Sequence, residues 1–110
     1  LKSKMSAVSI SDERTAKTIR EVHRNYGYVL DPHGAVAFAA LEDHLDRHPD
    51  EKGIILETAH PVKFDSVAGI LGTELEVPAS VAEFYDRQKS VTEIDPDYSV
   101  VREIILEKAR

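Results

Sequence analysis

Two short stretches carry residues whose types and spacing can do chemistry. In "LDPHGAV" (Leu30 to Val36), Asp31 and His33 bracket a proline. In "ETAHPVKF" (Glu57 to Phe64), Thr58, His60 and Lys63 follow at short intervals around Pro61. Thr58 ends an apolar run that reads as a strand. Ligands of α/β sheets gather at the carboxyl ends of strands, where a hydroxyl can donate to or accept from a ring atom. The same threonine also suits a loop in which its hydroxyl bonds its own backbone. Lys63 reads as a first-turn residue of a short helix, where a cation opposes the helix dipole. A phosphate or carboxylate nearby would explain it, and so would plain solvation. His60 suits either a ligand contact or a loop histidine bonded to backbone. Asp31 needs no role beyond capping a helix that begins with Pro32. His33, in the first turn of that helix, can bond backbone or point into a cleft.

Other chemistries find little support. His44 and His48 have the i, i+4 spacing of half a zinc site. Leu45 follows His44, so the glutamate of H-E-x-x-H is missing, and both histidines also suit a helix C-terminus. No metal site is expected. The chain has no cysteine, which removes disulfides, thiolate ligands and a cysteine nucleophile. It has no G-x-S-x-G elbow, and its five glycines are scattered rather than gathered in a phosphate loop. Acidic residues outnumber basic ones, 20 to 14, and no basic stripe forms, so nucleic acid is not an expected partner. No apolar run approaches the roughly 18–20 residues of a membrane span, and no signal peptide is visible. A cytoplasmic location is expected.

Positioning these residues falls to one small domain, 1–110, by length. "SAVSIS" (Ser6 to Ser11) alternates like a short strand. Ser11 then reads as an N-cap with Asp12 and Glu13 behind it, opening a helix that puts Ile19, Val22 and Tyr26 on one face and ends at Gly27. A second helix runs from Pro32 to about Arg47. From Ala35 to Leu41 it carries no polar residue, as if buried on several sides. "GIILETA" (Gly53 to Ala59) reads as a strand covered on both faces, because Ile54, Ile55 and Leu56 are consecutive. Further helices are expected from about Val62 to Leu71, from about Pro78 to Gln88, and after Asp95, the last with Val100, Val101, Ile104 and Ile105 inward. The fold class is therefore α/β, helix-rich with a small sheet. One strand cannot make a sheet, so its neighbours are expected outside this chain. The start at Leu1, with Met5 internal, also reads as an excised piece.

Taken together, "GYVLDPHGAVAFAALEDHL", "GIILETAHPVKFDSVAGILG" and "ELEVPASVAEF" resemble the carboxyl-terminal part of the threonine synthases, over roughly Ser9 to Phe84. The resemblance implies a pyridoxal-phosphate enzyme of fold type II that converts O-phospho-L-homoserine and water to L-threonine and phosphate. In that family the cofactor lies between two α/β domains, linked to a lysine, and a Ser or Thr hydroxyl faces its pyridine nitrogen. The match puts this role on Thr58 and makes His60 and Lys63 candidates for the rim of the site. Two departures stand out. Gly34 replaces a threonine common in the family. The tethering lysine, which an aspartate should follow, has no counterpart among Lys2, Lys4, Lys17, Lys52, Lys63, Lys89 and Lys108. The resemblance thus implies a carboxyl-terminal fragment, inactive alone, that lacks the covalent anchor and binds pyridoxal phosphate weakly or not at all. Its partner would be the amino-terminal remainder, with self-association as a further expectation where apolar surface stays uncovered. The rivals are another fold type II lyase or dehydratase and a non-catalytic interaction module.

Overall fold

Helix α1, Asp12–Tyr26, begins where the sequence says it should. The Ser11 side chain accepts from the Arg14 N–H, and Asp12 and Glu13 occupy the first turn, next to the positive end of the dipole. It stops at Gly27, whose φ of 66° is left-handed backbone that costs glycine nothing. Residues 5–85 and 87–109 are described by this computed structural model. Lys2 and Lys4 lie outside the described residues, as does Asp86 within the predicted helix from Pro78 to Gln88. After a link through Leu30, Asp31 caps α2, Pro32–Leu45, with Pro32 at its start. A single 3-10 turn, Pro61–Lys63, leads into α3, Asp65–Leu71, which ends at Gly72 with φ 67°. Beyond it lie α4, Ala79–Tyr85, and α5, Tyr98–Lys108, the latter capped by Asp97.

The chain divides into two compact units, Leu1–Val77 and Pro78–Arg110. The first is built on α1, which packs against both α2 and α3. Its core is Ile19 and Val22 from α1, Leu30 from the link, Ala35 from α2 and Val67 from α3, with Phe38, Ile55 and Phe64 packed around it. Ala35 and Ala39 present almost no side chain, so the α2 backbone comes close to its neighbours there. Tyr26, predicted on the inner face of α1, is exposed in the last turn. In the second unit, α5 exposes Val100, Val101 and Ile105 rather than turning them inward. Of the four residues expected inward, only Ile104 is half-buried among the described residues.

The predicted sheet is absent among the described residues, which hold no strand. Ser6–Ser11 is irregular. Gly53–Ala59 is not the doubly covered strand that three consecutive apolar residues predicted. Ile54 is 90% exposed and Leu56 78%, while Ile55 and Glu57 are half-buried. The segment alternates in and out like a strand with only one face packed, and no strand among the described residues pairs with its backbone. A strand needs a ladder partner, which hydrophobicity alone does not supply. Likewise α2 is buried chiefly at Gly34, Ala35 and Ala39, and the rest of its apolar stretch is only half-covered.

Candidate functional site

The two motifs, far apart in sequence, meet in space. Asp31 is the hinge. Its side chain is wholly buried, and Oδ1 accepts from the N–H groups of His33, at 2.7 Å, and Gly34, at 3.4 Å. These are helix N-terminal donors without intrahelical partners, so the cap satisfies them. The same oxygen lies 3.0 Å from His33 Nδ1. Asp31 Oδ2 is buried without a hydrogen-bond partner among the described residues. Replacing Asp31 with alanine is expected to cost about 1–2 kcal/mol, read as a lower urea midpoint with an unchanged slope; an unchanged midpoint would remove its capping role.

From the other motif comes Glu57, which the sequence reading passed over. Its Oε1 accepts from the backbone N–H of Asp31 at 2.7 Å, and Oε2 accepts from the Tyr28 hydroxyl at 2.8 Å. The hydrogen bond to Glu57 and the negative charge of that carboxylate hold the Tyr28 phenol above its ordinary value of 10.0. Glu57 sits so close to α2 that a Cβ on Gly34 would lie 2.9 Å from both its Cδ and Oε1. A signal for Glu57 existed. In a run that alternates, it takes the same phase as Ile55, and a carboxylate on a packed face needs donors. A second contact joins the motifs: the rings of His33 and Phe64 meet edge-on, centroids 5.4 Å apart.

Thr58, His60 and Lys63 follow Glu57 along the exposed side of this junction. Thr58 directly succeeds the anchored Glu57, and its side chain belongs to the outward phase. His60 Nδ1 accepts from the Val62 N–H at 3.2 Å, so the ring caps the 3-10 turn. Lys63 ends that turn instead of opening a helix, and α3 begins two residues later. The first-turn argument for an anion beside Lys63 therefore falls away. His33 remains 74% exposed at its side chain. Asp31 and His33 are thus in direct contact. Thr58, His60 and Lys63 share a loop tied to them through Glu57 and Phe64. Behind the junction an open, largely apolar cavity of about 420 Å³ lies among Val22, Leu30, Phe38 and Ile55, with Tyr28 and Glu57 also on its wall.

The paired histidines at and just beyond the end of α2 do something else. His44 and His48 stack with centroids 4.5 Å apart, and His44 Nε2 lies 2.8 Å from Glu51 Oε2. The hydrogen bond to His44 holds the Glu51 carboxyl below its ordinary value. Among the described residues no group of three or more acidic, His or Cys side chains could hold a metal ion. No described helix is long and apolar enough to cross a membrane.

Comparison with known proteins identifies the family. The profile of the family described as "Threonine synthase, C-terminal" matches residues 34–105. Threonine synthase of Escherichia coli K12 is 39% identical over 99 residues, covering 89% of this chain and 22% of that protein. The enzyme of Serratia marcescens is 47% identical over 75 residues, covering 67% and 17%. The crystal structure of the Escherichia coli threonine synthase superposes with a TM-score of 0.78 at 38% identity, over 92% of this chain and 23% of that one. A structure of threonine synthase from Brucella melitensis with PLP bound gives 0.62 at 32% identity, over 87% and 20%. The chain belongs to the threonine synthase family and corresponds to its carboxyl-terminal region. It spans less than a quarter of the length of these relatives.

Proposed function

We propose that this chain is the carboxyl-terminal part of a threonine synthase and supplies one wall of its cofactor site. The family match over residues 34–105, which contains Thr58, His60 and Lys63 together, carries this reading. The complete enzyme converts O-phospho-L-homoserine and water to L-threonine and phosphate, with pyridoxal phosphate as cofactor.

The residues present fit one edge of that cofactor. Thr58 offers a neutral hydroxyl on the exposed phase of a segment anchored from behind by Glu57, which suits the pyridine nitrogen. When bound, pyridoxal phosphate supplies an electron sink for charge developing on the substrate. A hydroxyl partner orients the ring without forcing a proton onto its nitrogen, as a carboxylate would. Lys63, exposed at the end of its turn, is the cation nearest in sequence to Thr58 and suits the rim where a substrate phosphate enters. His60 shapes the turn between them through its bond to the Val62 N–H. Asp31 and His33 hold the start of α2 against this loop. The lysine tether and the cofactor-phosphate loop belong to the remainder of the enzyme, which is the chain's partner.

The pure 110-residue chain is expected to form no threonine from O-phosphohomoserine and to bind pyridoxal phosphate weakly or not at all. Detectable turnover by the pure chain would contradict the reading. Assaying the complete protein with O-phosphohomoserine, serine and threonine in parallel tests the activity: release of phosphate with threonine formation supports a synthase, and preferential deamination of serine or threonine makes it a dehydratase.

A further inference from the structure

We propose that Glu57 is a positioning residue for Thr58: its carboxylate locks the loop that carries Thr58 to Tyr28 and to the N-terminus of α2, and a glycine at position 34 is what admits it. The proposal rests on the reading of Thr58 as the partner of the cofactor ring.

The geometry is specific. Glu57 is covalently adjacent to Thr58, so any shift in the first moves the second. Both its oxygens are engaged, Oε1 by the Asp31 N–H at 2.7 Å and Oε2 by the Tyr28 hydroxyl at 2.8 Å. Asp31 is itself immobilised, wholly buried and bonded to the first turn of α2. The Glu57 segment has no strand pairing among the described residues, so side-chain anchors replace a ladder in holding it. Two bonds from one carboxylate, to the Asp31 backbone and to Tyr28, constrain the direction of the segment as well as its position. Gly34 completes the lock. It has ordinary helical backbone, since only Gly27 and Gly72 take positive φ, so its lack of a side chain is a matter of space. The three atoms nearest an added Cβ all belong to Glu57.

Space and anchor are therefore coupled, and a double-mutant cycle exposes the coupling. In the 110-residue chain, Gly34→Ala is expected to lower Tm, because the new methyl group expels Glu57. In a Glu57→Ala background the same substitution should raise Tm, since alanine is the better helix former and nothing then occupies its space. Equal shifts in the two backgrounds would overturn the coupling. Glu57→Ala should also bring the Tyr28 phenol down toward 10.0, followed by NMR of ring-labelled tyrosine; an unmoved titration means that the carboxylate does not hold Tyr28 and overturns the lock.

The complete holoenzyme separates positioning from stability. Glu57→Ala is expected to shift the absorption of the bound cofactor in the same direction as Thr58→Ala and to lower kcat about tenfold, the worth of one hydrogen bond, with a smaller change in KM. Glu57→Gln, which keeps an acceptor for the Asp31 N–H, should recover most of kcat. If Thr58→Ala moves the spectrum and Glu57→Ala does not, the positioning role is overturned while the reading of Thr58 stands. If Thr58→Ala leaves the spectrum unmoved, that reading fails and the proposal goes with it.

Discussion

Replacing Ile19 with alanine is expected to destabilise the first unit by about 2–5 kcal/mol. Ile19 is completely buried where α1 meets α2 and α3, and it is among the largest side chains shut off from solvent. Its neighbours in the core are few and mostly small or β-branched: Val22, Leu30, Ala35 and Val67. Val22 and Ala35 sit on α1 and α2, whose N-termini Ser11 and Asp31 cap, so these walls resist closing over the space that an alanine leaves. The lost transfer energy and the residual cavity then add. For a unit of this size total stability is only of the order of 5–10 kcal/mol, so this one substitution removes a large share of it. Urea denaturation followed by circular dichroism measures the loss. A cost below about 1 kcal/mol would mean that the three-helix junction is not the core.

Thr58→Ala in the complete enzyme is expected to lower kcat by about 10- to 100-fold, the equivalent of about 1.5–3 kcal/mol for a hydrogen bond to a charge-bearing ring. The covalent attachment of the cofactor should survive, because no lysine of this chain has the sequence context of the tether. Its absorption should shift, because the ring nitrogen loses its partner. Thr58 is exposed in this structure and lies away from the core contacts, so the stability of the chain should be nearly unchanged. A large loss of stability with unaltered spectrum and kinetics would make Thr58 a structural residue and remove it from the site.

What the sequence made legible was local. Ser11, Asp31 with Pro32, Gly27 and Gly72 mark helix ends through bonds to atoms a few residues away, and each end lies where its cap predicts. The two motifs were readable as a family pattern and do come together, through Asp31 with Glu57 and His33 with Phe64. The errors concern what covers a surface. Ile54 to Leu56 and the apolar face of α5 were read as buried because apolar side chains are usually covered. Among the described residues Ile54, Leu56, Val100, Val101 and Ile105 are exposed, whereas Ile55 and Ile104 are half-buried; the chain makes up less than a quarter of its relatives' length. Sequence pattern reports the face an element would bury and is silent on whether the covering element belongs to the same stretch. Glu57 was missed for a related reason. Its partners, Tyr28 and the Asp31 N–H, are 29 and 26 residues away; its phase with Ile55 marks a carboxylate that needs donors, but nothing local says which groups supply them. The role of Lys63 depended on a helix boundary, and a shift of a few residues moved it from the start of a helix to the end of a turn.

The most direct measurement is a structure of the complete enzyme with pyridoxal phosphate bound. Thr58 Oγ1 should lie within hydrogen-bond distance of the pyridine nitrogen, at about 2.6–3.2 Å, with Glu57 still joined to Tyr28 and to the Asp31 N–H behind it. A pyridine nitrogen that meets a different side chain, with the Thr58 hydroxyl turned to solvent, would contradict the account.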